Sequence, residues 1–333
     1  MASAPLAPEQ LRATAYWALA PGIGELRTHD VRPPGPDEVL VRTLHSAVSR
    51  GTELLVHRGE VPAAVGDRMR APFQDGEFPG PVKYGYLSVG VVEAGPADLL
   101  GRVVFCLYPH QDRYVVPASA VTVVPDGVPA YRAVLAGTVE TAVNAVWDAG
   151  PRLGDRIAVI GAGMVGCAVA AVLRPFPLDR LELADIDEER RTLAEQLGVE
   201  FVAPDDAGGD CDLVIHCSAS AAGLNRGLEL LGDEGELIEV SWYGNRQPQV
   251  NLGSDFHVRR LCLRSSQVGV VAAARRARRS TADRRALALR IMADPAFDAL
   301  ISSRSPFTEL PGMMRRLAAG ELGGLCHVLD YGP

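Results

Sequence analysis

The segment that most restricts what this chain can fold into is RIAVIGAGMVGCAVAAVL, residues 156–173. An apolar run ends in Gly161, Gly163 and Gly166, and an apolar stretch of helical character follows at once. G-x-G-x-x-G between a strand and a helix is the turn that receives a dinucleotide. Gly161 permits the tight turn, Gly163 lets the backbone approach a pyrophosphate, and Gly166 allows helix and strand to pack closely. Met164 and Val165 complete the turn at the helix N-terminus, whose unpaired N–H groups face the anion. The next strand, RLELADID, brings Asp185 24 residues beyond Gly161, close to the spacing of about 20 expected for a carboxylate on the adenosine ribose. A carboxylate there repels a 2′-phosphate, so the expected cofactor is NAD and not NADP. Asp187 is expected to begin the following helix, and Arg190 to be an exposed arginine of that helix or to flank the adenosine.

The 333 residues suffice for two domains sharing a cleft. From Ala13 to about Val124, short apolar or alternating runs (ATAYWAL, EVLVRTLHSAV, YLSVGVVEAG, RVVFCLY, RYVVPA, VTVV) are broken by Gly and Pro and predict a β region with few helices. After Pro125, helical stretches such as Tyr131–Ala149 alternate with the strands RIAVIGAG, RLELADID, DLVIHCSAS and ELIEVSWYG, which predicts a parallel sheet covered on both faces. A helix over 281–294, a strand near Leu300, a helix over 309–319 and the strand CHVLDY close the chain.

The net charge of −8 argues against a nucleic-acid binder that works by neutralising phosphates. Six cysteines without paired short spacings read as reduced thiols of a cytoplasmic protein. The N-terminal segment lacks the basic start and apolar run of a leader, and the longest uncharged stretch, Ile157–Leu173, falls short of a membrane span.

With DEVLVRTLHSAVSRGTE, GYLSVGVVEAG, GRVVFCLYPHQDRYVVPASAVTVVPDGV, the GAGMVG turn and the closing strand–helix–strand, the chain resembles the medium-chain dehydrogenase/reductase superfamily. SAVSRGTE is similar to the zinc-free branch that includes bacteriochlorophyllide dehydrogenase. The resemblance implies an α/β fold: a Rossmann doubly wound parallel sheet over 126–272, and a mainly β GroES-like catalytic domain over 1–125 to which 273–333 return. It also implies a homodimer joined along the sheet edge, for which LCLRSSQVG is the candidate strand.

The departures bear on the chemistry. Where zinc enzymes of the superfamily carry C-x-x-D, G-H-E and a third Cys or acidic ligand, this chain has Arg50-Gly51-Thr52-Glu53, Gly85-Tyr86-Leu87 and Ala136-Gly137-Thr138, and the four-cysteine lobe is missing. Zinc needs three protein ligands, so the aligned positions cannot hold it; Cys106, His110 and Glu53 are an improvised alternative. Without a metal, side chains must move the proton. Tyr86 stands at the zinc histidine's position, with Lys83 and Tyr84 beside it, either as a proton donor or oxyanion-hole member or as an aromatic filling the space left by the metal. His110 suits proton relay. Glu53 and Glu140 lie in segments that face the cleft in the resembled family, with Arg50 a possible ion partner of Glu140 and Ser49 and Thr52 as orienting hydroxyls. Cys217 and Ser218 in HCSAS, Ser241 in VSWYG and Gln267 in SSQVG fall where the family lays the nicotinamide, with Trp242 a wall of the pocket or part of the core. The arginine run AAARRARRSTADRR is expected to be a solvated helix face.

Taken together, the sequence predicts an NAD(H)-dependent, zinc-independent oxidoreductase that interconverts an alcohol and a carbonyl in a small-molecule substrate. The alternatives are a double-bond reductase of the enone or quinone type and a non-catalytic NAD(H)-binding sensor or scaffold.

Overall fold

The strand predicted before the glycine turn spans Arg156–Ile160 in the computed structural model, which describes residues 11–332. The first ten residues, part of the segment read for a leader, lie outside the described residues. Four consecutive apolar side chains of this strand are buried, the signature of a central parallel strand covered on both faces. It is flanked on one side by Arg180–Ala184 and then Glu200–Val202, and on the other by Cys211–His216, Leu231–Glu239 and Cys262–Ser265, all parallel. Counted along the chain the order is 3-2-1-4-5-6, which reverses direction between Arg156–Ile160 and Cys211–His216. A crevice opens beyond the carboxyl ends of strands at such a reversal.

The second part is mainly β. A seven-stranded sheet runs Ile301–Pro306, Cys326–Asp330, Glu38–Val48, Ser88–Ala94, Val103–Cys106, Val121–Val123, with Arg113–Pro117 also paired to Glu38–Val48. Cys326–Asp330 lies antiparallel to Glu38–Val48, His327 opposite Val48, so the end of the chain completes a sheet begun near its start. A smaller sheet pairs Arg12–Ala20 with Ile23–Asp30. The fold is therefore α/β, with a Rossmann sheet joined to a GroES-like β domain.

Two elements differ from expectation. The helix read over 131–149 is interrupted at Val134 and Leu135, giving Ala130–Ala133 and Ala136–Ala149. A helix the sequence reading missed, Arg50–His57, follows the strand Glu38–Val48 directly and carries Glu53. Its glycine at Gly51 and β-branched residues at Thr52 and Val56 weaken helix propensity, so packing decides it.

The arginine run is only partly solvated. Helix Thr281–Ile291 begins in a capping box between Ser280 and Asp283 and packs on Ala136–Ala149. Arg275, Arg276, Arg278 and Arg279 are exposed, but Arg284 is 1% exposed and points inward. Its Nη2 and Nε donate to Glu140 Oε1 at 3.1 and 3.2 Å, its Nη1 donates to Asn144, and it also reaches the carbonyls of Val268 and Val270. Arg285 Nε donates to Glu140 Oε2 at 3.3 Å. The expectation of a solvated face fails at Arg284 because Glu140, buried in an apolar helix, needs a cation.

Candidate functional site

The crevice at the sheet's reversal is built from short segments that each leave a strand. Gly161, at φ +105°, makes the turn, and its N–H donates to the Ala184 carbonyl at 2.8 Å. A Cβ on Gly161 would meet the Ser218 backbone nitrogen at 2.7 Å, and one on Gly166 would meet the Gly161 carbonyl oxygen at 1.8 Å. Only glycine allows both approaches. A Cβ on Gly163 would meet nothing within 4 Å, so its backbone faces open space where the helix Met164–Leu173 begins without a side-chain cap. Met164 and Val165 sit in its first turn, against the core.

Asp185 stands one residue past its strand; its Oδ2 accepts from the Ala162 N–H at 2.6 Å and its Oδ1 from the Asp187 N–H at 2.9 Å. Asp187 precedes the helix it was expected to begin, which starts at Arg190, and the two side chains form an ion pair at 3.1 Å. Arg50 donates to the carbonyls of Leu322 and Gly324 and not to Glu140, so the expected pairing is corrected. Burial and the nearby Arg190 guanidinium lower the Arg50 pKa.

At the other end of the crevice, the Cys217 N–H donates to the Ile160 carbonyl at 2.7 Å. Ser241 Oγ accepts from the Ala219 N–H at 3.0 Å, which ties the ends of two neighbouring strands together. Gln267 lies beyond the edge strand Cys262–Ser265; its side chain accepts from the Gly269 N–H at 2.7 Å and its carbonyl from Asn144 at 3.4 Å. Trp242 is half-buried in the loop after Leu231–Glu239. The same loop reaches the β part, where Gly244 faces Leu55 and the Glu60 carbonyl.

Within the β part a buried polar cluster assembles. His110 Nε2 and Glu53 Oε2 are 2.8 Å apart, with 1% and 4% of the two side chains exposed. His110 Nδ1 lies 2.8 Å from Ser46 Oγ, which lies 2.9 Å from the Tyr331 hydroxyl. The Ser49 N–H donates to Glu53 Oε1 at 2.9 Å. Tyr86 is half-buried and stands edge-on to Tyr84 at 6.0 Å between ring centroids. Burial and the Glu53 charge push its phenol up to about 12, against hydrogen bonding to Ser49 and Thr52. Tyr86 is therefore a neutral donor at physiological pH. Lys83 is directed elsewhere, to Gln111 at 3.2 Å and over the Tyr108 ring, so it lends Tyr86 no adjacent cation.

The sequence thus brought Tyr86, His110 and Glu53 to attention, and the fold gathers them. It does not gather Glu140, which is occupied by Arg284 and Arg285. Ser46 and Tyr331 went unnoticed because a serine within a strand and a tyrosine near the chain end carry no motif; only the pairing of Cys326–Asp330 with Glu38–Val48 joins them. His216 and Glu239 were likewise missed.

The improvised set of Cys106, His110 and Glu53 is not brought together as a metal site. Cys106 faces the cluster of Tyr108 and Tyr114, its thiol pushed up to about 12 by burial, and so stands apart from His110 and Glu53. Among the described residues, no group of three or more His, Cys, Asp or Glu could hold a metal ion. Nor, among them, is any helix long and apolar enough to cross a membrane.

Comparison with known proteins agrees with this architecture. Sorbitol dehydrogenase of Macaca fascicularis is 24% identical over 260 residues, which cover 66% of this chain and 72% of that protein. A dehydrogenase of the zinc-binding type from Sinorhizobium meliloti 1021, solved bound to NADP, superposes with a TM-score of 0.77 at 17% identity, covering 96% of this chain and 100% of that one. An alcohol dehydrogenase from Escherichia coli CFT073, solved with NADH, gives a TM-score of 0.77 at 14% identity over the same shares. No family model matches the chain. At these identities the likeness to the solved structures shows the fold, that of the two-domain dehydrogenases.

Proposed function

We propose that this protein is an NAD(H)-dependent, zinc-independent oxidoreductase of the medium-chain dehydrogenase/reductase superfamily that interconverts an alcohol and a carbonyl compound. The reading rests above all on Tyr86: a neutral phenol close to the enclosed Glu53–His110 pair, at the position where the resembled family has a zinc histidine. When bound, the nicotinamide supplies or takes up the hydride. Tyr86 donates a hydrogen bond, and then its proton, to the substrate oxygen as alkoxide charge develops. Ser49 and Thr52 orient the phenol, and the enclosed Glu53–His110 pair acts on it through its charge. Arg50, Arg190 and the turn from Gly161 to Gly166 hold the diphosphate, and Asp185 holds the ribose. The open-edged strand Cys262–Ser265 is the surface for a homodimer.

Reduction with NADH carrying deuterium at C4 tests the reaction type. Label on the carbinol carbon is expected; label on a carbon beta to a carbonyl would move the assignment to double-bond reduction. Active preparations are expected to lack stoichiometric zinc by mass spectrometry, and about one zinc per chain would overturn the metal-free mechanism.

The choice of cofactor is checked at Asp185. Its carboxylate repels a 2′-phosphate, so NADH should bind the wild type more tightly than NADPH. Asp185→Asn should weaken NADH by about tenfold, as expected for hydrogen bonds lost to a charged acceptor, and narrow the preference. Fluorescence titration decides it, and equal affinities in the wild type would remove NAD specificity.

A further inference from the structure

One buried network in the crevice has no part in the proton transfer just described. His216, fully enclosed, closes the strand Cys211–His216, and Glu239 closes its neighbour Leu231–Glu239. His216 Nδ1 lies 2.9 and 2.8 Å from the two Glu239 oxygens. Glu239 Oε1 also accepts from the Ser241 N–H at 2.7 Å, and Oε2 from the Tyr243 hydroxyl at 3.0 Å. On its far side, His216 Nε2 lies 2.7 Å from Ser218 Oγ, which lies 2.8 Å from Ser220 Oγ.

The donors in this chain can be ordered. Ser220 Oγ accepts from the Gly223 N–H at 3.0 Å, which leaves its hydrogen free for Ser218. Ser218 can then donate to His216 Nε2, and His216 donates from Nδ1 to Glu239. In this order every polar hydrogen of the chain has an acceptor, and the chain ends on the Glu239 carboxylate. Burial raises the Glu239 pKa, but the hydrogen bond and charge of His216 and the hydrogen bonds from Ser241 lower it by more, which keeps the carboxylate ionised. The charge is felt nearby: together with burial it pushes the Cys217 thiol up.

The network also holds a strained backbone. Ala219 has φ +51°, in the region that favours glycine, and its N–H is fixed by Ser241 Oγ, itself two residues past Glu239. A residue kept in that region must be held by its surroundings. Residues 217–219 and 240–241 thus form a rigid ledge with a carboxylate beneath it, at the end of the crevice away from Asp185.

We propose that Glu239 is a positioning residue for the nicotinamide end of the cofactor, and that its fixed charge favours the cationic, oxidised form over the neutral, reduced one. The proposal rests on the reading that a nicotinamide dinucleotide binds here. A negative charge in a partly desolvated site attracts a nearby cation strongly and a neutral ring hardly at all.

Calorimetric titration of wild type and Glu239→Gln with NAD+, NADH and ADP-ribose, which lacks the nicotinamide, tests this. In the wild type, NAD+ should bind at least as tightly as NADH. The variant should lose about tenfold in NAD+ affinity while NADH and ADP-ribose hold. Equal losses for all three ligands would reduce Glu239 to a structural role and overturn the proposal, as would an unchanged NAD+/NADH ratio. If the variant does not fold, the wild-type ratio decides: NADH binding about tenfold tighter than NAD+ overturns it. A wild type that binds none of the three ligands removes the cofactor reading itself, a different outcome from binding with the wrong ratio.

Discussion

Tyr86→Phe is expected to lower turnover by about 100-fold or more, in the range of a lost general acid, while NADH binding stays unchanged. The substitution removes one oxygen and leaves the ring that packs edge-on to Tyr84, so the fold should persist. What is lost is a hydrogen bond that strengthens as the substrate oxygen gains charge, and the loss should fall on kcat more than on KM. His110 is enclosed, so His110→Asn should cost less than Tyr86→Phe. Steady-state rates together with NADH fluorescence titration provide the check. A Phe variant that turns over at the wild-type rate would mean that another group supplies the proton.

The second large effect concerns stability. Arg284→Met should destabilise the fold by about 3–5 kcal/mol, because it strips Glu140 of its closest cation in a buried setting. Arg284 also ties the carbonyls of Val268 and Val270 and the side chain of Asn144 to helix Thr281–Ile291, so the segment leading out of the Rossmann sheet loses its anchor. Arg285 keeps a 3.3 Å contact with Glu140 and limits the damage. Adding Glu140→Gln should recover part of the loss, since the uncompensated carboxylate is then gone. Thermal melts of the two single variants and the double variant decide the matter. If Arg284→Met melts with the wild type while Glu140→Gln stays folded but loses turnover, Glu140 belongs to the chemistry after all.

The parts of this protein that are legible in the sequence are those whose cause is local. The Gly161, Gly163 and Gly166 turn, the continuous apolar strand before it and the acidic residue after the next strand depend on backbone sterics and on residues close in the chain. The alternation of strand and helix after Pro125 announces a parallel sheet for the same reason. Helix Arg50–His57 escaped notice because its residues favour a helix only weakly and its place is set by the strand before it and the helix Leu310–Ala318 packed against it.

The partners of the charged and polar groups could not be read in this way. Glu140 looked free to meet Arg50, yet it meets Arg284, 144 residues away. His110 looked like an isolated loop histidine, yet it is clasped between Glu53 and Ser46. His216 and Glu239 carry no motif, and become a pair because two parallel strands end side by side. Turns and strand patterns are dictated by neighbours along the chain, and so the sequence by itself determined the α/β architecture and the dinucleotide turn. A buried charge takes whichever partner the folded backbone brings within a few ångströms, so the tertiary structure alone decided which acids and bases face the cleft and which are spent on holding it together.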